Sequence, residues 1–404
     1  MSVGRDWSRR FWIVALLPFV GACAGSDGEH GTGGGTAIRV ELSEPNAAFP
    51  EAFSSIAGIR ELSDGRLFVS DRLGQALVLV DLDDGSADTI GRTGGGPGEY
   101  SVPGDLFPWR GDSTLMLDMG NTRFTPVGPD GGFGISMPLM TRDGELMTLV
   151  MPEGTDRHGN IYFQARSFNM GAGGPGDAPD SSRIVRWNPE TGASDTVAAL
   201  RPPEQKIQGS GGYVMMMPIP FGPLDDWAVS WDGRVGVARG VGYRVEWVDA
   251  DGNTHIGEDI GYEPIVITQE DKDAWLETRA SASSDGMYIT MQAGGGGGAG
   301  DVRATAAPRG GGYAGPEIAD EDWPEMKPPF PSSAVSATPE GELWVRRNTV
   351  HGAPPEYHVY DEGGNQIRAV VLGENSRVVG FGDGVVYVAR TDEVDLQWLE
   401  RYSR

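Results

Sequence analysis

A short unit recurs six times between residues 37 and 404, and it leaves the chain few ways to fold. Each copy places a tight turn before an apolar strand. The turns are Asp64-Gly65, Gly111-Asp112, His158-Gly159, Asp232-Gly233, Glu340-Gly341 and Asp383-Gly384. The strands behind them read Leu67-Phe68-Val69, Leu115-Met116-Leu117, Ile161-Tyr162-Phe163, Val235-Gly236-Val237, Leu343-Trp344-Val345 and Val386-Tyr387-Val388. Glycine accepts the positive φ of a tight turn, so such pairs between apolar runs mark hairpins. A strand apolar on both faces needs cover on both, and a repeat of this size obtains it by stacking on its neighbours. The pattern therefore predicts an all-β fold: a six-bladed β-propeller of four-stranded antiparallel blades spanning 37–404.

An open ring would expose strand edges, so the termini have to meet. Residues Val378 to Tyr402 supply only the inner strands of a blade, while Ile38-Arg39-Val40-Glu41-Leu42 alternates apolar and charged. The N-terminal strand is expected to close the ring as the outer strand of that last blade. One stretch, 268–331, breaks the rhythm. Thr268 and Asp271 form a capping pair for a helix through Trp275 to about Ala280. Residues 292–331, with glycine runs and the acidic patch Glu317 to Glu325, read as a mobile loop over one face.

The N-terminus carries an address. Arg5, Arg9 and Arg10 precede an apolar run from Phe11 to Phe19, then Val20-Gly21-Ala22 and the chain's single cysteine, Cys23. Basic, apolar and small residues in that order make an export signal too short to span a bilayer. With the cysteine placed directly after the small residues, it resembles a bacterial lipoprotein signal. The resemblance implies cleavage of 1–22, lipidation at Cys23, and membrane attachment through 23–36, a glycine-rich flexible tether. Ala24 resembles the pattern sorted to the outer membrane, facing the periplasm or the cell surface.

Gly91-Arg92-Thr93-Gly94-Gly95-Gly96-Pro97-Gly98-Glu99-Tyr100 is similar to the linker between NHL repeats, and Asp118-Met119-Gly120-Asn121-Thr122-Arg123-Phe124 to the body of one. The chain thus resembles bacterial six-bladed β-propeller lipoproteins with NHL-like blades. That resemblance implies fold and export; its members include binding platforms, lyases and lactone hydrolases, so it leaves the activity open.

Charge narrows the partners. The chain has 32 basic and 58 acidic residues, net −26. Loss of 1–22 removes three arginines and one aspartate, taking the net charge to −28. A chain so acidic is a poor match for nucleic acid and favours a soluble monomer. Registering the six strands places Asp71, Met119, Ala165, Arg239, Arg347 and Arg390 at one position, with Asp118 one residue earlier in blade two and Arg72, Arg123 and Arg166 close by. Arginine pairs bidentately with carboxylate or phosphate, so this arc suits an anionic glycan or peptide, or an envelope protein. The competing reading pairs these arginines with neighbouring acids.

Asp71 and Asp118 are the candidate ligands for one divalent ion, calcium or zinc, at the central channel. That ion would make the chain a metal-dependent lyase or lactonase. No nucleophile elbow and no second cysteine are present, so catalysis by a serine or cysteine lacks a signature. His158 reads as a turn residue and His351 as a loop residue. The leading expectation is a binding platform without catalysis.

Overall fold

The computed structural model describes residues 37–143, 146–165, 167–168, 182–201, 204–210, 213–285, 290–292, 303–305 and 318–404. Cys23, the signal and the tether lie outside them, as does Arg166. Residues 37–404 form one compact unit.

Six antiparallel sheets follow one another along the chain. Blade one is Ile56–Glu61, Leu67–Asp71, Ala76–Val80 and Ala87–Ile90; blade two is Pro103–Pro108, Thr114–Asp118, Arg123–Val127 and Met137–Pro138. Blade three is Pro152–Thr155, Ile161–Ala165, Ser182–Trp187 and Ser194–Leu200; blade four is Asp226–Val229, Val235–Arg239, Arg244–Val248 and Thr254–Ile256. Blade five is Val335–Ala337, Leu343–Arg346, Glu356–Tyr360 and Gln366–Val371; blade six supplies Ser376–Gly382, Val385–Thr391 and Gln397–Ser403. The ring is a six-bladed propeller.

The strand alternation explains the stacking. In blade one Leu67 and Val69 join Tyr387 and Ala389 of blade six, while Phe68 joins Met116 and Leu106 of blade two. In blade five Leu343 and Val345 pack on Trp247 of blade four, and Trp344 on Val386 and Val388 of blade six. Each of the six seams has its own apolar cluster, and the ring has no common centre of packing. Trp109 and Trp227 are buried in the second and third seams.

An N-terminal strand does close the ring, but Ile38–Glu41 is not that strand. It lies parallel to Gln366–Val371 as a fifth strand on blade five, with Arg39 2.6 Å from Glu356. Ala47–Ala48 pairs antiparallel with Gln397–Ser403 to complete blade six. Beside it Phe49 and Phe53 bury their stacked rings in the seam between blades six and one. Two buried phenylalanines supply about 4 kcal/mol of closure, which the charged Ile38–Glu41 strand has no means to match.

Blade two also shifts the expected register. The turn-closing bonds, Leu62 N–H to Arg66 O and Trp109 N–H to Ser113 O, set Leu67 level with Thr114. Buried Thr114 begins the strand, so Asp118, not Met119, is the counterpart of Asp71. The shared register is Asp71, Asp118, Ala165, Arg239, Arg347 and Arg390.

Antiparallel order gives the ring two unlike ends. The turns between first and second strands, and between third and fourth, lie at one end, here the turn face. The loops between second and third strands, and the linkers between blades, lie at the other, the linker face. Apart from the Ile38–Glu41 strand, the additional elements among the described residues belong to those linkers or loops. They include the hairpins Met140–Asp143/Leu146–Leu149 and Gln205–Ser210/Tyr213–Pro218, and the helix Gln269–Asp285. The helix runs past the expected end near Ala280. Its capping box is as expected: Asp271 Oδ2 accepts the Thr268 N–H (3.0 Å) and Thr268 Oγ1 accepts the Asp271 N–H (3.3 Å).

Residues 318–331 of the insertion are docked, contrary to the reading of a loose loop. Lys327 Nζ donates to Asp271 Oδ1 and to Thr349 O, both at 2.7 Å, and the pair is buried. Trp323 packs edge-on against Trp275 (5.6 Å) and against Phe221 (6.3 Å) from the preceding linker.

Candidate functional site

The six innermost strands surround a channel cavity of about 1940 Å³. Most charged groups along it tie blades together. Arg60 donates to Asp112 of the next blade (3.0 Å), and Tyr387 Oη donates to Glu61 (2.9 Å) across the closing seam. Burial lowers the pKa of Arg60 and raises that of Glu61. Asp226 of blade four accepts the backbone N–H groups of Ala334 and Val335 entering blade five. Arg377 donates to Ile56 O across the closing seam and to Gln397 Oε1 within its own blade. Asp105 differs in protruding into the channel. The enclosing walls push its carboxyl pKa up, against the pull of Arg72 and Arg377.

Asp71 and Asp118 work as staples. Asp71 accepts the N–H groups of Ser54 (2.8 Å), Ser55 (2.9 Å) and Gly74 (2.9 Å). Asp118 accepts those of Ser101 (3.0 Å) and Val102 (3.3 Å), plus Asn121 Nδ2 (2.7 Å) and Arg123 Nε (3.2 Å). Ringed by N–H dipoles pointing at their oxygens, these carboxylates do not fit a divalent ion, whose ligands must turn lone pairs towards it. Among the described residues no three His, Cys, Asp or Glu side chains form a metal-holding group.

The NHL-like motif residues bind the chain itself. Asn121 donates to Gly94 O (2.8 Å), and Arg123 to Gly95 O (3.3 Å) and Glu99 O (2.7 Å). The Glu99 carboxylate accepts Gly96 N–H (2.7 Å), filling the loop that a phosphate would need. Motif and linker thus fasten blade one to blade two.

The registered arginines stay apart. Arg390 donates to Glu400 (2.8 Å) within blade six. Arg347 lies over the rings of Tyr243 (4.6 Å) and Tyr262 (5.7 Å). Arg72 is exposed at its loop. Arg239 alone joins other arginines. With Arg201 and Arg244 it lines a cleft of about 380 Å³ at the linker end of blades three and four.

Buried carboxylates hold this cleft in shape. Glu246 Oε2 takes two N–H bonds from Arg239 (2.6 and 2.8 Å), and Glu246 Oε1 takes Arg244 Nε (2.8 Å). Asp225 Oδ2 accepts Arg239 Nη1 (2.7 Å) and the backbone N–H of Arg201 (2.8 Å). Three guanidinium groups against two carboxylates leave the cleft one charge positive. Arg201 is exposed and also borders the channel, so cleft and channel adjoin.

The sequence reading missed Arg201 and Arg244. Arg244 carried a signal, since a four-residue loop sets it directly across the hairpin from Arg239. Arg201 sits in an irregular linker and carried none. Three tryptophans near the loops are occupied within the fold: Trp109 and Trp227 pack in seams, and Trp323 is committed to Trp275, Phe221 and Lys272. His158 lies in its turn and His351 in its loop.

Sheet order, seams and channel define the class: a six-bladed β-propeller. No family model matches the chain, and no curated protein matches it in sequence. It is similar in fold to regucalcin, a calcium-binding protein of Agrobacterium tumefaciens, at 10% identity and TM-score 0.42, over 91% of this chain and 97% of that one. A DUF4221-family protein from Bacteroides vulgatus gives 10% identity and TM-score 0.48, over 89% and 99%. A gluconolactonase from Xanthomonas campestris gives 13% and 0.40, over 91% and 98%. These likenesses extend to the fold alone.

Proposed function

We propose that this propeller is a binding platform for an anionic glycan or peptide, captured on the linker face in the Arg201–Arg239–Arg244 cleft. The carrying observation is that cleft itself: a positive pocket, already braced by Glu246 and Asp225, in a chain of net charge −26. Arg239 and Arg244, fixed before a ligand arrives, lose little freedom on binding, and a planar guanidinium fork matches a carboxylate. Arg201 and Arg244 have N–H groups to offer; Arg239 acts as the brace between them.

Calorimetric titration with oligogalacturonate and with an uncharged oligosaccharide of equal length tests the reading. Arg201→Ala and Arg244→Ala are each expected to weaken the acidic ligand about tenfold, the value of one charge-assisted bond. Equal binding of the uncharged sugar, or indifference to both substitutions, overturns it.

The platform is held at the cell envelope by lipid at Cys23, on the outer membrane. Cys23→Ser is expected to move the chain from the detergent phase to the aqueous phase of a Triton X-114 partition; an unmoved variant refutes the anchor.

A further inference from the structure

A two-stranded ribbon, Ile265–Val266 paired with Met326–Lys327, brackets the insertion, and it is inside out. Residues directly opposite each other in an antiparallel pair share a face. On one face Lys327 is buried, 5% exposed, and bonded to Asp271 and Thr349 O. On the other, Val266 is 59% and Met326 43% exposed. A soluble ribbon ordinarily buries its apolar face and shows its lysine to water. Here the buried Lys327–Asp271 pair, beside half-buried Ile265 on the inner face, keeps Val266 and Met326 turned to solvent.

We propose that this ribbon is the docking surface for a protein partner that presents apolar side chains flanked by lysine or arginine. The acids around it choose that partner. Glu263, Glu270 and Glu325 are exposed beside the ribbon and its helix. The nearby Lys272 is drawn away over the Trp323 ring at 5.3 Å. A second copy of this chain would set glutamate against glutamate, and an anionic membrane surface would be repelled as well. An apolar contact ringed by complementary charge is the usual form of a specific interface. The surface shares no residue with the arginine cleft, and its exposed glutamates select a ligand of the opposite charge.

The probe is a fluorescent twelve-residue Leu-Lys-Lys-Leu repeat peptide, followed by anisotropy against the whole chain and against a Val266→Ser/Met326→Ser variant. Both side chains are exposed, so the variant is expected to keep the wild-type urea midpoint. It is expected to bind the peptide at least fivefold more weakly. A Ser-Lys peptide of equal charge, which measures attraction to the acidic chain in general, is expected to bind both proteins alike. Equal affinity of the Leu-Lys peptide for both proteins overturns the proposal. So does equal wild-type affinity for a Leu-Glu peptide. A wild-type dimer in sedimentation velocity that the variant abolishes also overturns it, because the occupant is then a second copy.

Discussion

The two ends of the ring are built from the same residue types and put them to opposite uses. On the turn face aspartates such as Asp249 and Asp361 organise their own turns, although Asp112 reaches Arg60 and Ser63 of blade one. Asp249 Oδ1 accepts the N–H groups of Asp251 (2.9 Å) and Asn253 (2.8 Å), and Asp361 does the same for Gly363 and Asn365. On the linker face Asp392 orders its own loop, but the others join separate segments: Asp71 to Ser54 and Ser55, Asp118 to Ser101 and Val102, Asp271 to Lys327. A turn that satisfies itself is indifferent to what lies beyond it. A linker held by distant carboxylates has been given a fixed shape, which is what a binding surface needs. The additional hairpins, the helix, the arginine cleft and the inside-out ribbon all lie on the second face.

Removing one carboxylate from each end is the strongest way to break this comparison. Asp118 is fully buried, and Asp118→Ala strands Arg123 and the Ser101 and Val102 N–H groups together. The expected cost is about 4 kcal/mol, that of removing one partner from a buried pair. It is read as a lower urea midpoint at unchanged m. Asp249→Ala frees as many backbone donors, but into water, and is expected to move the melting temperature by less than about 2 °C. Similar losses from both variants would mean that the two faces are braced alike.

The same contrast explains what the sequence disclosed. Turn chemistry is local: an Asp-Gly pair and its strand lie within ten residues, so blade number, seam residues and the Thr268–Asp271 cap were all legible. Ring closure was legible in principle, but the wrong segment was chosen. Strand alternation marked Ile38–Leu42, whereas the decisive term was the burial of Phe49 and Phe53 in a seam over 340 residues away along the chain. The register error in blade two came from reading buried Thr114 as part of its turn. The arginine arc failed because equal register does not mean convergence. Arg239, Arg347 and Arg390 sit at the rims of three blades, each with its own partners, and the group that does meet draws Arg201 from a linker with no repeat pattern. Linkers are specified by long-range contacts, and a single sequence does not display those.

Titratable groups lie inside the seams as well, and there pH sharpens the comparison at a somewhat smaller scale. His358, in the third strand of blade five, donates from Nε2 to Glu356 (3.1 Å), which also holds Arg39 of the added strand. Burial first, and the Arg347 charge second, push the His358 pKa down to about 4. The folded state therefore favours the neutral imidazole, while the unfolded chain takes up its proton near pH 6.5. Stability from this group is complete above pH 6.5. It declines as pH falls towards 4, because the unfolded state binds more protons throughout that interval. Between pH 7.5 and 4.5 the expected loss is about 2–3 kcal/mol. His358→Gln keeps a donor for Glu356 and titrates nowhere in the range, so the difference between wild-type and variant unfolding free energies at the two pH values isolates the group. Identical pH profiles would show that His358 is not held neutral, and that blade five carries no more electrostatic tension than the turns at the other end.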